Sequence, residues 1–131
     1  MAFSSLDTSG GPRDGNNVPM MVAGQAVLAA STTNIADGAT VTLVDNVKTV
    51  GFAKISLTAR SNRAVTIRVL QGPNATKNFK DDLVLDADAT EGAGKGLIVS
   101  VGSSRVTVKA INPAGAATTT FDCEVIGIAS S

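Results

Sequence analysis

Five carboxylates crowd one stretch of the chain: Asp81, Asp82, Asp86, Asp88 and Glu91. Asp86, Asp88 and Thr90 imitate the opening of a calcium loop, D-x-D-x-T, which arrays oxygen ligands around one bend. The match then fails. Gly92 comes one position late, and Leu97 stands where the bidentate Glu belongs. The cluster therefore reads as a solvated turn, with no metal assigned. Two carboxylates such as Asp82 and Asp86 could serve acid–base hydrolysis of sugars, but nothing in their spacing makes them converge. The run Gly92-Ala93-Gly94-Lys95-Gly96 has the look of a phosphate loop. It lacks the upstream glycine, the hydroxyl after Lys95 and a following helix, so it reads as a flexible hairpin loop. The sequon Asn74-Ala75-Thr76 matters only in a secreted eukaryotic chain.

Histidine is absent. That removes the usual base near neutral pH, the commonest zinc ligand and every Ser–His or Cys–His dyad. Cys123 is the sole cysteine, and it sits between Phe121 and Val125 in an alternating run. It reads as a small buried apolar residue rather than a reactive thiol. The sequence predicts no catalytic residue, no cofactor and no small-molecule substrate.

Eleven basic and 11 acidic residues cancel, and the basic ones form no run. Backbone binding to nucleic acid and attraction to an anionic membrane both need clustered positive charge, so neither partner is expected. No segment reaches the roughly 20 apolar residues of a membrane-spanning helix. The stretch Val18 to Ser31 is apolar and ends in small residues, but a long polar segment precedes it. A secretory signal wants a basic start followed directly by its apolar core, so cleavage there is not expected.

The elements that position these groups have a period of two. Ala53, Ile55, Leu57 and Ala59 alternate with Lys54, Ser56, Thr58 and Arg60. Val65, Ile67 and Val69 do the same, as do Val106, Val108 and Ala110, and later Phe121, Cys123 and Val125. Such alternation places one set on each face of a pleated strand. Turn formers break the runs at Asp37-Gly38, Asp45-Asn46, Ser61-Asn62-Arg63, Gly72-Pro73-Asn74, Gly102-Ser103 and Asn112 to Gly115. The spacing predicts about eight strands, over 26–31, 40–45, 52–60, 64–71, 82–87, 96–101, 104–111 and 117–128, in one antiparallel β-sandwich of jelly-roll or immunoglobulin-like type. Residues 19–30 fit a short helix as well as a strand. Ser61-Asn62-Arg63 and Gly102-Ser103 read as hairpin turns. The longer link from Gln71 to Asp81 either crosses a sheet edge or projects as a loop. Phe121 and Phe52 are expected in the core.

Residues 1–17 hold turn formers and no apolar period. They form an N-terminal arm, either disordered or ordered on a neighbouring subunit, and residues 18–131 form the sandwich domain. Candidate partner-binding residues are Phe3 and Arg13 in the arm, the exposed ring of Phe79, and Ile126 with Ile128. These isoleucines fall in phase with Asp122 and Glu124 on the outward face of the last strand. Either a bulge near Gly127 switches that face, or the isoleucines meet another subunit.

The stretch Ser104 to Phe121 (SSRVTVKAINPAGAATTTF) contains R-V-x-V-x-x-x-N, then a Gly turn and a Thr-rich run. It resembles a pattern near the C-terminus of small β-sandwich virion proteins of tailed bacteriophages. Lys54 to Gln71 (KISLTARSNRAVTIRVLQ) is similar to the hairpin that precedes it there. The tryptophan that often follows that hairpin is missing. The resemblance implies a head decoration (cement) protein on the capsid exterior, a homotrimer that clamps the major capsid protein, or a tail or fibre component. A carbohydrate-binding or adhesive module is the alternative, and it is poorly served by four Phe and no Trp or Tyr.

Overall fold

The structure, a computed structural model, describes residues 24–129. Strands form where the alternation runs: β1 (Gln25–Ser31), β2 (Thr40–Lys48), β3 (Phe52–Ser61), β4 (Thr66–Gly72), β5 (Phe79–Val84), β6 (Lys95–Ser100), β7 (Arg105–Ile111) and β8 (Phe121–Ala129). No helix occurs among the described residues. Two antiparallel four-stranded sheets result, in the orders β1-β8-β3-β6 and β2-β7-β4-β5. Their edges meet across the sandwich, β1 against β2 and β5 against β6. Strands adjacent in sequence therefore stack in opposite sheets, and the chain zigzags between layers. Only β4 and β5, in the same sheet, are joined as a hairpin.

This arrangement corrects the reading of the short links. Ser61-Asn62-Arg63 joins β3 to β4 and Gly102-Ser103 joins β6 to β7, so both are corners between sheets rather than hairpin turns. A corner and a hairpin impose the same period on the flanking strands, since both leave alternate residues inward. The Gln71–Asp81 link is the true hairpin. The Asn78 N–H donates to the Gln71 carbonyl at 2.8 Å, and Gln71 pairs with Phe79. That register starts β5 at Phe79, three residues before the expected start. A Cβ on Gly72 would lie 1.7 Å from the Thr76 carbonyl oxygen, so the hairpin loop closes only over glycine there.

Asp45-Asn46 proves to be a bulge inside β2 rather than a turn. Asn46 takes φ 51°, the ladder shifts register between Val44 and Val47, and the strand runs on to Lys48. The turn follows at Thr49-Val50-Gly51, where the Phe52 N–H meets the Thr49 carbonyl at 2.9 Å. The last strand begins at Phe121 instead of 117. Thr118 binds Ile35 and Thr120 binds Asn62, so neither joins a ladder. Of the segment left open between helix and strand, Gln25 onward is strand β1, and residues 19–23 lie outside the described residues. The proposed arm, with Phe3 and Arg13, lies outside them too.

The core is aliphatic apart from Phe121. Ile35, Ile55, Leu57, Ile67, Leu85 and Val125 fill it, all fully buried. Each contributes roughly 1.5–3 kcal/mol by leaving water. Buried polar side chains tie the ends of the sandwich. Asn112 directs its amide nitrogen at the carbonyls of Ala36 (3.0 Å) and Ala116 (2.9 Å). Gln71 donates to the Ser100 carbonyl at 3.0 Å and accepts from the Gly102 N–H at 2.8 Å. The Oδ1 of Asn62 accepts the N–H groups of Thr119 and Thr120.

Candidate functional site

The acidic stretch is dispersed by its own partners. Asp82, on β5, is held by Arg68 of β4 through two hydrogen bonds, at 2.8 and 3.0 Å. Those bonds keep its carboxyl below the usual carboxylate range, the opposite of what a general acid needs. Asp86 pairs with Lys95 at 3.1 Å on the surface. Asp88 accepts the Thr90 N–H at 2.8 Å, which lowers its pKa. Among the described residues no three potential ligands gather as a metal site. Gly92-Ala93-Gly94-Lys95-Gly96 is no hairpin loop, since it leads from β5 across to β6. Gly94 lies close against β3, where a Cβ would sit 2.8 Å from the Ala59 carbonyl oxygen. Cys123 is buried on the inward face of β8, and burial pushes its thiol up to about 11.

The candidate partner residues do not form one patch. Phe79 begins edge strand β5 and is half exposed. Ile126 and Ile128 belong to the other sheet. Their face does not switch at Gly127. The inward phase Phe121, Cys123, Val125, Gly127 stays buried to the end, with both isoleucines half-buried outside. A bulge does occur nearby, but on the partner strand, between Phe52 and Lys54. It lets the Phe52 ring cover Gly127, where a Cβ would lie 2.8 Å from three ring carbons. Phe52 is therefore half-buried rather than a full core residue.

The outside of the β1-β8-β3-β6 sheet carries the most organised surface of the described molecule. Val27 pairs with Ile126, Ile126 with Ser56, and Ser56 with Ile98. One row thus crosses all four strands, with Val27 61% and Ile98 62% exposed. The next row holds Ala30, Glu124, Thr58 and Gly96, small apart from the exposed Glu124. It lines an open trough of about 680 Å³ together with Gly94, Lys95 and the Arg60–Asp122 ion pair at 2.7 Å. On the other side of the apolar row run Gln25, Ile128, Lys54 and Ser100. The sequence showed the outward isoleucines of β8. It did not show that Val27 and Ile98 line up with them, because that depends on strand order.

No protein-family model matches the chain, and no curated protein is significantly similar to it. Two solved structures were found similar to it. One is described as PBSX exported protein XepA, with a TM-score of 0.62 and 11% identity, over 82% of this chain and 37% of that one. The other comes from Bacillus endospore appendages, described as a novel family of disulfide-linked pili, with a TM-score of 0.42 and 11% identity over 88% and 99% of the two chains. The chain spans little more than a third of the exported protein's length, and the likeness between them is one of fold.

Proposed function

We propose that the chain is a non-enzymatic structural protein of a phage particle. In the finer form of this reading it is a decoration protein that binds the major capsid protein on the capsid exterior as a homotrimer. The observation that carries the proposal is the use of the described polar groups. The buried ones, Gln71, Asn112 and Thr118, fasten corners and loops of the sandwich, while the exposed aliphatic residues of one sheet stand in a row outside it. Such a body works by surface contact, and symmetry multiplies a modest contact into firm attachment. The shared fold with a phage PBSX exported protein supports the coarser statement. The virion-like motif Arg105–Asn112 supports the finer one.

Co-sedimentation with heads of the phage that encodes the chain tests this directly. The full chain should pellet with heads at a saturating ratio set by the capsid lattice, and run alone as a trimer by light scattering. Removing residues 1–17 should weaken attachment and leave the melting temperature nearly unchanged. A monodisperse monomer that never pellets with heads would overturn the reading.

A further inference from the structure

A sheet edge with unpaired backbone groups is a template for another strand, and proteins usually blunt it. Three of the four edges in this sandwich are blunted. β1 bulges between Val27 and Ala29. β2 bulges twice, between Thr42 and Val44 and between Val44 and Val47. β5 keeps a regular register but carries Lys80, Asp81 and Asp82, and Asp81 shares the inward face of buried Val69. A strand laid along β5 would bury that carboxylate. The β6 edge has none of these devices. It pairs with β3 in unbroken register from Lys95 to Ser100. From Gly96 to Val101 it holds no charge and no proline, and Leu97, Ile98 and Val99 follow one another.

The Val101 N–H donates to the Ala53 carbonyl of β3 at 2.9 Å. In an antiparallel ladder alternate residues turn both backbone groups toward the same neighbour. Leu97 and Val99 therefore face β3 with Val101, while Gly96, Ile98 and Ser100 point out of the sheet edge. Gln71 meets that edge only at its end, at the Ser100 carbonyl and the Gly102 N–H. Both backbone groups of Gly96 and Ile98, and the N–H of Ser100, have no partner among the described residues. We propose that this edge pairs antiparallel with the β6 edge of a second copy about a two-fold axis at Ile98, joining two β1-β8-β3-β6 sheets into one of eight strands.

The open groups set the register. Ile98 faces Ile98 of the second copy and Gly96 faces its Ser100, which yields about six backbone hydrogen bonds. Moving the axis to Leu97 sets Ser100 over Gly94, which is packed against Ala59. Moving it to Val99 sets Gly96 over Gly102, whose N–H is already held by Gln71. With the axis at Ile98, Leu97 faces Val99 on the inward side and Ile98 meets itself on the outer side, so both faces of the seam are apolar. Lys95 falls opposite Val101, which leaves the two lysines roughly 20 Å apart, beyond the Debye length of about 8 Å. The chain's net charge of zero adds no general repulsion. A second copy is thus the occupant that matches every open group of this edge from the same six residues. The contact is two-fold, so it is separate from a three-fold one and would link neighbouring trimers. It stands on strand geometry alone and goes beyond the functional reading above.

Sedimentation equilibrium of the full chain and of its Ile98→Lys, Ile98→Glu and Ile98→Pro variants tests this. The Ile98 side chain is exposed and its N–H points away from β3, so each variant should keep the fold, and melting temperatures at low concentration check that. An Ile98→Pro chain that unfolds would show the amide bonded within its own sheet, against the proposal. The mass of the wild type should climb with concentration. Each variant alone should associate at least about tenfold more weakly, because like charges meet at the axis or two backbone bonds are lost. An equimolar mixture of the Ile98→Lys and Ile98→Glu chains should regain the wild-type association, since only a contact in which position 98 meets itself pairs those charges. Constant wild-type mass at every concentration would overturn the pairing. Variants that associate as strongly as the wild type would overturn it too, and would point to another surface. A mixture no stronger than its components would overturn the axis at Ile98. Failure of capsid binding with this pairing intact would overturn the proposed function alone.

Discussion

The side-chain oxygen of Gln71 accepts the backbone N–H of Gly102 at 2.8 Å, locking a strand of one sheet to the corner that leads out of the other. The same amide donates to the Ser100 carbonyl. Gln71 is 1% exposed, so Gln71→Ala deletes two part-buried hydrogen bonds, to the Ser100 carbonyl and the Gly102 N–H, and leaves a small cavity. Each such bond contributes about 0.5–1.5 kcal/mol. Urea denaturation should show a loss of about 1–3 kcal/mol, and an unchanged stability would mean that water replaces the amide.

Asn112 closes the R-V-x-V-x-x-x-N motif, and its amide holds the carbonyls of Ala36 and Ala116. The motif asparagine is thus a fastener for the β1–β2 and β7–β8 connections. Asn112→Leu should destabilise by about 2–4 kcal/mol. Proteolysis should then cut first within residues 112–120. A variant of normal stability would contradict this role.

Asp82 titrates lower in the folded chain than in the unfolded one, because Arg68 holds its charged form. A depressed folded pKa gives stability that is present above the unfolded value and lost as pH falls through the folded one. Asp82→Asn should therefore flatten the acid limb of the stability curve below about pH 5. Near pH 7 it should cost only about 1 kcal/mol, since both side chains are partly solvated. Melting temperatures from pH 2 to 7 check both statements.

Cys123 should resist thiol reagents in the folded state. Its thiol is buried, and desolvation pushes it up to about 11, so the thiolate fraction at pH 8 is on the order of 10⁻³. Labelling should follow unfolding, accelerating with urea. Fast labelling in buffer would show that β8 opens locally.

Gly127 lies under the Phe52 ring, where an added Cβ would come within 2.8 Å. Gly127→Val should lift the ring off β8 and cost about 1–3 kcal/mol. Pairing Gly127→Val with Phe52→Ala should recover part of that loss, and strict additivity would contradict the contact.

Alternation made the eight strands legible, because inward residues such as Ile55, Leu57, Ile67 and Val108 must be apolar whichever strand they face. Strand order was not legible. The corners at Ser61–Arg63 and Gly102–Ser103 join strands of different sheets, yet the flanking pattern is the one a hairpin imposes. The polar fasteners left a fainter trace. Gln71 continues the inward phase of Ile67 and Val69, and Asn112 that of Val106, Val108 and Ala110. A polar residue at an inward position must bind backbone, and that signal was available. The surface row was hidden for a different reason. Val27, Ser56, Ile98 and Ile126 come from four separated segments, and only the sheet order β1-β8-β3-β6 sets them side by side.

On the proposed function, this molecule acts by holding other protein surfaces together. The most direct test heats phage heads that lack the chain, with and without the purified full chain, and records the temperature of DNA release. The account predicts a saturable rise in that temperature, lost when residues 1–17 are removed. Heads that open at the same temperature at every concentration of added chain would contradict it.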